Sequence, residues 1–328
     1  MKVLYINRKK PDYLQDLTYT GLVKILGAQN IIEYPWNTRY HLNYRPYPKN
    51  LGQMTSTFFD SIKAQLKRKT FDIVVVASCH PETMHLYAKI IKEIPSTVKT
   101  VFLDGGDMSE IGGDLERLGN RSEYDKILSF REFDYIFKRE YLIDKEYESN
   151  VYSLPFCFNF DHLPKLSENY KYDVAFWAVE SDPIRTKALG LVEGRFDCQE
   201  NGTTKNQVMK KYKRKGQFYL QELSACKIGL NFRGVGWDTL RFWEIPAVGG
   251  FMISQKPQIV IDNGFVDKED IVYCKDDLSD LVELCEYYLE HEDERERIAK
   301  NARAKVEKYH TDIARAKYVI GKIFEGNK

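Results

Sequence analysis

Short runs that are apolar at almost every position recur along this chain, each divided from the next by a stretch with helical spacing. That alternation restricts it to an α/β fold with parallel strand pairing. Lys2–Ile6 (KVLYI), Ile31–Tyr34, Phe71–Ala77 (FDIVVVA), Thr100–Leu103, Asp134–Phe137 and Val151–Leu154 read as strands. Apolar side chains on both faces suit a strand covered by helices above and below. Tyr13–Leu26, Thr55–Lys69 and Pro81–Ile94 read as helices, with Pro11 and Pro81 where a first turn accepts proline. Crossovers in such sheets are right-handed, and ligands gather beyond the carboxyl ends of the strands. This places Asn7, Ser78-Cys79-His80 and Asp104–Asp107 around one crevice. The stretch from Pro35 to Asn50 holds three prolines and four aromatic residues and reads as a long irregular loop.

The period fails over Phe156–Tyr172, and a second α/β run follows. Strands at Tyr172–Trp177, Lys227–Phe232, Gly250–Ser254 and Asp270–Tyr273 alternate with helices. Those helices are read at Asp182–Leu191, Lys205–Tyr212, Gln217–Ala225, Thr239–Ala247, Asp277–Leu289 and Asp293–Tyr309. The last reads as a solvated face with i, i+4 charge pairs. At ~150 residues per domain, 328 residues make two units.

Lys+Arg number 49 and Asp+Glu 48, a net charge of +1, which excludes a nucleic-acid binder working by bulk charge. No run approaches the ~20 apolar residues of a membrane span, and the N-terminus does not read as a signal peptide. Six cysteines are scattered without a CxxC pair and read as reduced thiols of a cytoplasmic protein. Aromatic residues are 13%; composition favours ordinary packing over a ligand-stacking cleft. No GxGxxG follows the first strand, and GxxxxGK[ST], HExxH and GxSxG are absent. No DxD sits at a strand end, so no catalytic metal is expected.

Ser224–Ser254 is the informative segment: a strand, a glycine-containing loop, a helix, Gly-Gly, and a strand. Arg233-Gly234-Val235-Gly236 lets backbone approach a ligand closely. Asp238 is the expected N-cap of the helix that opens with Thr239. Free amides and a positive dipole end there suit a diphosphate. Arg241 and Glu244, three apart, share one helical face. The arginine can pair with phosphate oxygens and the carboxylate can accept from two ribose hydroxyls. The alternative is that the two pair only with each other. Pro246 ends or kinks the helix soon after.

The segment Arg241-Phe242-Trp243-Glu244-Ile245-Pro246-Ala247-Val248-Gly249-Gly250 resembles the donor-binding domain of GT-B glycosyltransferases. The group includes the CgeB-like spore-maturation proteins and the glycosyl transferases group 1 C-terminal domains. The likeness spans roughly residues 172 to 325, through Asp270–Tyr273, Tyr287-Tyr288-Leu289, Ile298-Ala299 and His310-Thr311, and includes Arg185 upstream. The N-terminal half matches only in layout. The Arg-x-x-Glu helix also resembles those of fucosyltransferase-like and exostosin-like enzymes.

The resemblance implies two Rossmann-like domains with parallel sheets facing across a cleft. Residues 1–165 would form the acceptor side, 166–310 the donor side, and 311–328 a helix crossing back. It implies a metal-independent glycosyltransferase using a nucleotide-diphosphate sugar of UDP or GDP type, with no further cofactor. The acceptor is open: a glycan, a protein, a small molecule or, less favoured, DNA met by the basic stretch Lys205–Lys215, which otherwise reads as a solvated helix face. Donor-binding candidates are Arg185, Arg233, Gly234, Gly236, Asp238, Thr239, Arg241 and Glu244, with Lys187 and Lys227 as further sources of positive charge. Candidates for the catalytic base are His80, Asp104 and Asp107, whose alternatives are a helix cap and a turn. Trp237 stands where many members carry an acidic residue, which leaves stereochemistry open. The rival readings are a nucleotide-sugar epimerase on the same scaffold and a non-catalytic nucleotide-sugar-binding protein.

Overall fold

The computed structural model describes residues 1–41, 48, 65, 66, 68, 70–197 and 216–325. The expected helix at Thr55–Lys69, apart from residues 65, 66 and 68, the expected helix at Lys205–Tyr212 and the basic stretch Lys205–Lys215 lie outside the described residues. The chain divides into two units, Met1–Pro155 with Asp312–Lys328, and Phe156–Thr311.

The first unit is built on six parallel strands: β1 Val3–Ile6, β2 Ile31–Tyr34, β3 Ile73–Val76, β4 Lys99–Asp104, β5 Tyr135–Lys138 and β6 Val151–Ser153. Their order is β2-β1-β3-β4-β5-β6. Every residue of β1, β3 and β5 is buried, as strands covered on both faces require. The chain leaves β1 toward β2 and returns on the other side as β3. The strand order therefore reverses between β1 and β3, whose ends Ile6 and Val76 are in register.

Helix α1 (Tyr13–Leu26) is capped by Asp12, which accepts from the Gln15 amide, so Pro11 stands just outside it. Helix α2 (Pro81–Ala88) is shorter than the expected Pro81–Ile94, and a 3₁₀ turn, Ile91–Glu93, follows it. Pro95 disfavours the helical conformation at Ile94, and Ile90, Ile91 and Ile94 turn into the core instead. Short helices α3 (Gly113–Arg117) and α4 (Arg121–Phe130) complete the crossovers.

From the aromatic loop, Tyr40 stacks on Tyr19 at 3.9 Å and Trp36 on His41 at 4.9 Å. Tyr40 is fully buried, so its ring serves packing. Residues 42–47 of that loop lie outside the described set.

Six further α-helices follow among the described residues: α5 (Pro183–Val192), α6 (Gly216–Ser224), α7 (Leu240–Ala247), α8 (Leu281–Glu290), α9 (Glu292–Tyr309) and α10 (Asp312–Glu325). Helix α10 lies against α1 in the first unit, where Lys24 Nζ meets Asp312 Oδ2 at 2.8 Å and Tyr135 donates to the Ile323 carbonyl at 3.0 Å. Gly21 makes the approach possible, because a Cβ there would stand 2.1 Å from the Asp312 carbonyl oxygen. Since backbone rather than a flexible side chain is in the way, Gly21→Ala is expected to lower unfolding stability by about 1–3 kcal/mol. A urea titration checks this; an unchanged midpoint would mean that the helices part freely.

The second unit carries four parallel strands in the order β10-β9-β8-β7. They are β7 Tyr172–Ala175, β8 Cys226–Asn231, β9 Phe251–Gln255 and β10 Val272–Cys274. Val174, Ile228, Leu230, Ile253 and Val272 form the sheet's part of the core. Helix α9 is less solvated than its charge pattern suggests. Ile298, Ala299 and Val306 are buried with Arg295, which donates to the Tyr288 carbonyl at 2.7 Å. Among the described residues, no helix is long and apolar enough to cross a membrane.

Candidate functional site

Beyond the carboxyl ends of β7 and β8, the loops 176–182 and 232–239 meet the start of α7. Thr239, not Asp238, caps that helix: its Oγ1 accepts from the Phe242 amide at 3.4 Å and donates to Asn231 Oδ1 at 2.7 Å. Asp238 is turned inward, because the buried indole of Trp243 donates to its Oδ1 at 2.9 Å and the Phe156 amide to its Oδ2 at 2.6 Å. It fixes the loop's entry angle through protein donors. The remaining amides of the first turn have no partner within the helix and lie at its positive end. Pro246 falls inside α7, which ends one residue later at Ala247.

Two guanidiniums set the electrostatics, that of the buried Arg185 and that of the half-buried Arg241. Arg185 Nε donates to the Arg233 carbonyl at 2.8 Å, Nη2 to Phe232 at 3.1 Å, and Nη1 to the Val179 carbonyl at 2.7 Å and Ser181 Oγ at 2.9 Å. It ties the two loops together. Burial, then the charge of Arg241, pushes Arg185 down to about 9, so it stays cationic at neutral pH. Arg241 donates Nη2 to the Trp177 carbonyl and lies over the Phe176 ring at 5.3 Å. Its Nε and Nη1 are buried without a hydrogen-bond partner. Among the described residues, no carboxylate lies within ion-pair distance of either guanidinium.

Gly234 is required at its position. A Cβ there would stand 2.9 Å from Ser181 Oγ and 3.1 Å from Arg185 Nη2. The Gly234 amide donates to the Gly236 carbonyl at 2.9 Å, which closes the loop's tip. Arg233 faces outward, 3.4 Å from Asp182 Oδ2 and stacked over Trp237 at 4.4 Å. The other two cations are placed elsewhere. Lys187 donates to the Asp277 carbonyl at 2.7 Å. Lys227, at the amino end of β8, meets Asp173 at 2.8 Å on the opposite edge of the sheet.

Glu244 is 4% exposed and accepts from the Tyr219 hydroxyl at 3.0 Å. Behind the loop runs a buried polar chain: Asn231 Nδ2 donates to Ser254 Oγ at 3.0 Å, Ser254 to the Gln255 carbonyl at 2.7 Å, and the Arg233 amide to Gln255 Oε1 at 3.3 Å. Sequence reasoning missed Tyr219, Asn231, Ser254 and Gln255. A polar residue closing an otherwise apolar strand was the available signal for Asn231 and Ser254; Tyr219 carried none.

The remaining candidates lie in the first unit. His80 caps α2, its Nδ1 accepting from the Glu82 amide at 3.2 Å. An accepting Nδ1 leaves the ring proton on Nε2, so the ring's other nitrogen is a donor. Burial, then the charge of Arg8, holds the imidazole below its usual range, hence neutral. Asp104 is fully buried: Oδ2 lies 3.1 Å from Lys138 Nζ, outside hydrogen-bond alignment, and accepts from the Gly112 amide at 2.8 Å. It anchors the turn that follows β4. Asp107 pairs with Arg139 and keeps about a third of its side chain exposed (35%). Among the described residues, no group of three or more His, Cys, Asp or Glu is placed to hold a metal ion.

Residues 180–321 match a family model described as glycosyl transferase-like. The whole chain superposes on solved GT-B structures. The Anabaena protein Alr3699/HepE, in complex with UDP-glucose, aligns at TM-score 0.60 and 9% identity over 99% of this chain and 100% of that one. The chain has the GT-B fold, and its residues 180–321 are glycosyl transferase-like. An alpha-glucosyltransferase bound to UDP and mismatched DNA aligns with this GT-B chain at TM-score 0.57 and 11% identity, over 98% of each. A glycosyltransferase from Rickettsia africae aligns at TM-score 0.53 and 11% identity, over 96% of this chain and 95% of that one. No curated protein matches the GT-B chain in sequence. Neither the family model nor these neighbours favours an epimerase.

Proposed function

We propose that this chain moves a sugar from a nucleotide-diphosphate donor of UDP type to an acceptor hydroxyl, without a catalytic metal. One observation carries the reading: the buried Arg185 and the half-buried Arg241 share a site with, among the described residues, no carboxylate within ion-pair distance of either guanidinium, and Arg241 keeps two buried nitrogens unpaired beside a helix N-terminus. A buried cation with unmet donors is a site for an anion. The diphosphate would take Arg241 and the first-turn amides of α7, while the loop clamped by Arg185 brings Gly234 and Gly236 close. Glu244 would accept from the ribose hydroxyls.

In transfer, the bond between the sugar's anomeric carbon and the diphosphate oxygen breaks, and the diphosphate leaves with the electron pair. The acceptor oxygen bonds to that carbon and gives up its proton. Positive charge preset at the leaving group lowers the barrier without waiting for reorganisation. Asp107, half-buried in the turn that follows β4, is our candidate for the proton acceptor. His80 is assigned the role of a neutral hydrogen-bond donor.

UDP is the preferred donor nucleotide because two neighbours on this fold are bound to UDP or UDP-glucose. A glycan, protein or small-molecule acceptor is favoured over DNA by the net charge of +1. Cytoplasmic placement is supported by the scattered cysteines of the sequence, which form no CxxC pair. The test is a thermal-shift panel of UDP, GDP, ADP, CMP and dTDP on the parent and on Glu244→Ala. UDP is expected to raise the parent's melting temperature clearly and the variant's much less. No response, or an equal response in the variant, would defeat the site assignment. Binding without transfer or hydrolysis of UDP-glucose would instead favour a non-catalytic binder.

A further inference from the structure

The carboxylate read as the pentose acceptor is held by a side chain from another helix. Tyr219, on α6, donates its hydroxyl to Glu244 Oε2 at 3.0 Å. Its ring meets Trp177 edge-on at 6.4 Å, and the Trp177 carbonyl takes Arg241 Nη2. Phenol, carboxylate and guanidinium thus share one wall assembled from the end of β7, α6 and α7. Burial, then the negative charge of Glu244, drives the ionisation of Tyr219 far above the usual tyrosine range. The hydroxyl is therefore a donor throughout the physiological range.

The terminal torsion of a glutamate is broad, so an unrestrained carboxylate presents its oxygens over a wide arc. A fixed donor on one oxygen removes that freedom. We propose that Tyr219 is a positioning residue that aims Glu244 at a vicinal diol, restricting the donor to a ribonucleotide and rejecting its 2′-deoxy counterpart. The inference rests on the donor reading above. A ribose meets the aimed carboxylate with two hydroxyls. A 2′-deoxyribose meets it with one and forgoes a hydrogen bond that the ribose makes, and polar sites discriminate strongly on that basis.

Calorimetric titration of the full chain with UDP and 2′-deoxy-UDP tests the idea. The parent is expected to prefer UDP by about tenfold or more. In Tyr219→Phe, which keeps the ring and its packing on Trp177, the preference should fall to about threefold or less, mainly through weaker UDP binding. Equal weakening toward both ligands, with the ratio intact, would overturn the proposal and leave Tyr219 a packing role. Equal parent affinity for UDP and 3′-deoxy-UDP would overturn it without any substitution, so the outcome does not depend on the variant folding. A parent that binds none of these nucleotides would remove the donor reading itself, a result distinguishable from either.

Discussion

Arg241→Met is expected to abolish stabilisation by UDP while leaving the unliganded chain at least as stable as the parent. The two halves have one cause. In the unliganded protein, the half-buried Arg241 has its Nε and Nη1 out of water and without a partner, which is a cost rather than a gain. Methionine keeps most of the length and can still pack on the Phe176 ring, 5.3 Å from the guanidinium carbon, without burying unmet donors. Replacing a poorly compensated buried charge by an apolar side chain is often neutral or stabilising. In the proposed donor complex the same nitrogens would meet phosphate oxygens, and their loss would remove charge stabilisation at the leaving group. A fall of about 10²–10³ in kcat/KM with UDP-glucose is expected, the range for one preorganised donor. Paired melting curves with and without UDP, plus a transfer or hydrolysis assay, check both halves. An unchanged UDP response would remove Arg241 from the site. A large fall in the unliganded melting temperature would mean that its unpaired nitrogens are satisfied by the protein.

Asp104→Ala is expected to cost about 3–5 kcal/mol of stability, because it strands the ammonium of Lys138, itself 0% exposed, inside the first unit. The turn after β4 also loses the acceptor of the Gly112 amide. Removing both charges together, Asp104→Leu with Lys138→Met, should recover a large part of that loss, since no buried charge is then left alone. Urea denaturation of the four proteins of this cycle decides the matter. If Asp104→Ala folds with parental stability yet loses turnover, the carboxylate serves chemistry instead. The same comparison on Asp107, partly exposed, is expected to show the reverse balance.

Much of the local structure was legible from residue order. Helix Tyr13–Leu26 and strand Ile31–Tyr34 have the boundaries that their apolar spacing marks. Such elements are decided by neighbours a few positions away, so a reading of neighbours finds them. Arg241 and Glu244 lie on α7 as expected for the same reason, since their spacing puts them on one helical face wherever that helix is docked. Where a distant residue competes, the local rule failed. Asp238 has the chemistry of a cap, but the Trp243 indole and the Phe156 amide claim its oxygens and Thr239 caps instead. Arg185 has the charge of a phosphate ligand, but most of its donors go to carbonyls of two loops.

The amino-acid sequence by itself determined the alternation of strand and helix, the two-unit division in outline, and the arginine and glutamate carried on a single helix. Only the tertiary structure decided which of the charged side chains are spent on the protein and which keep unmet donors. It alone brought Tyr219 to Glu244. The reason is physical: a hydrogen bond or a desolvated charge is set by atoms that packing brings within about 3 Å, and those atoms come from anywhere along the chain.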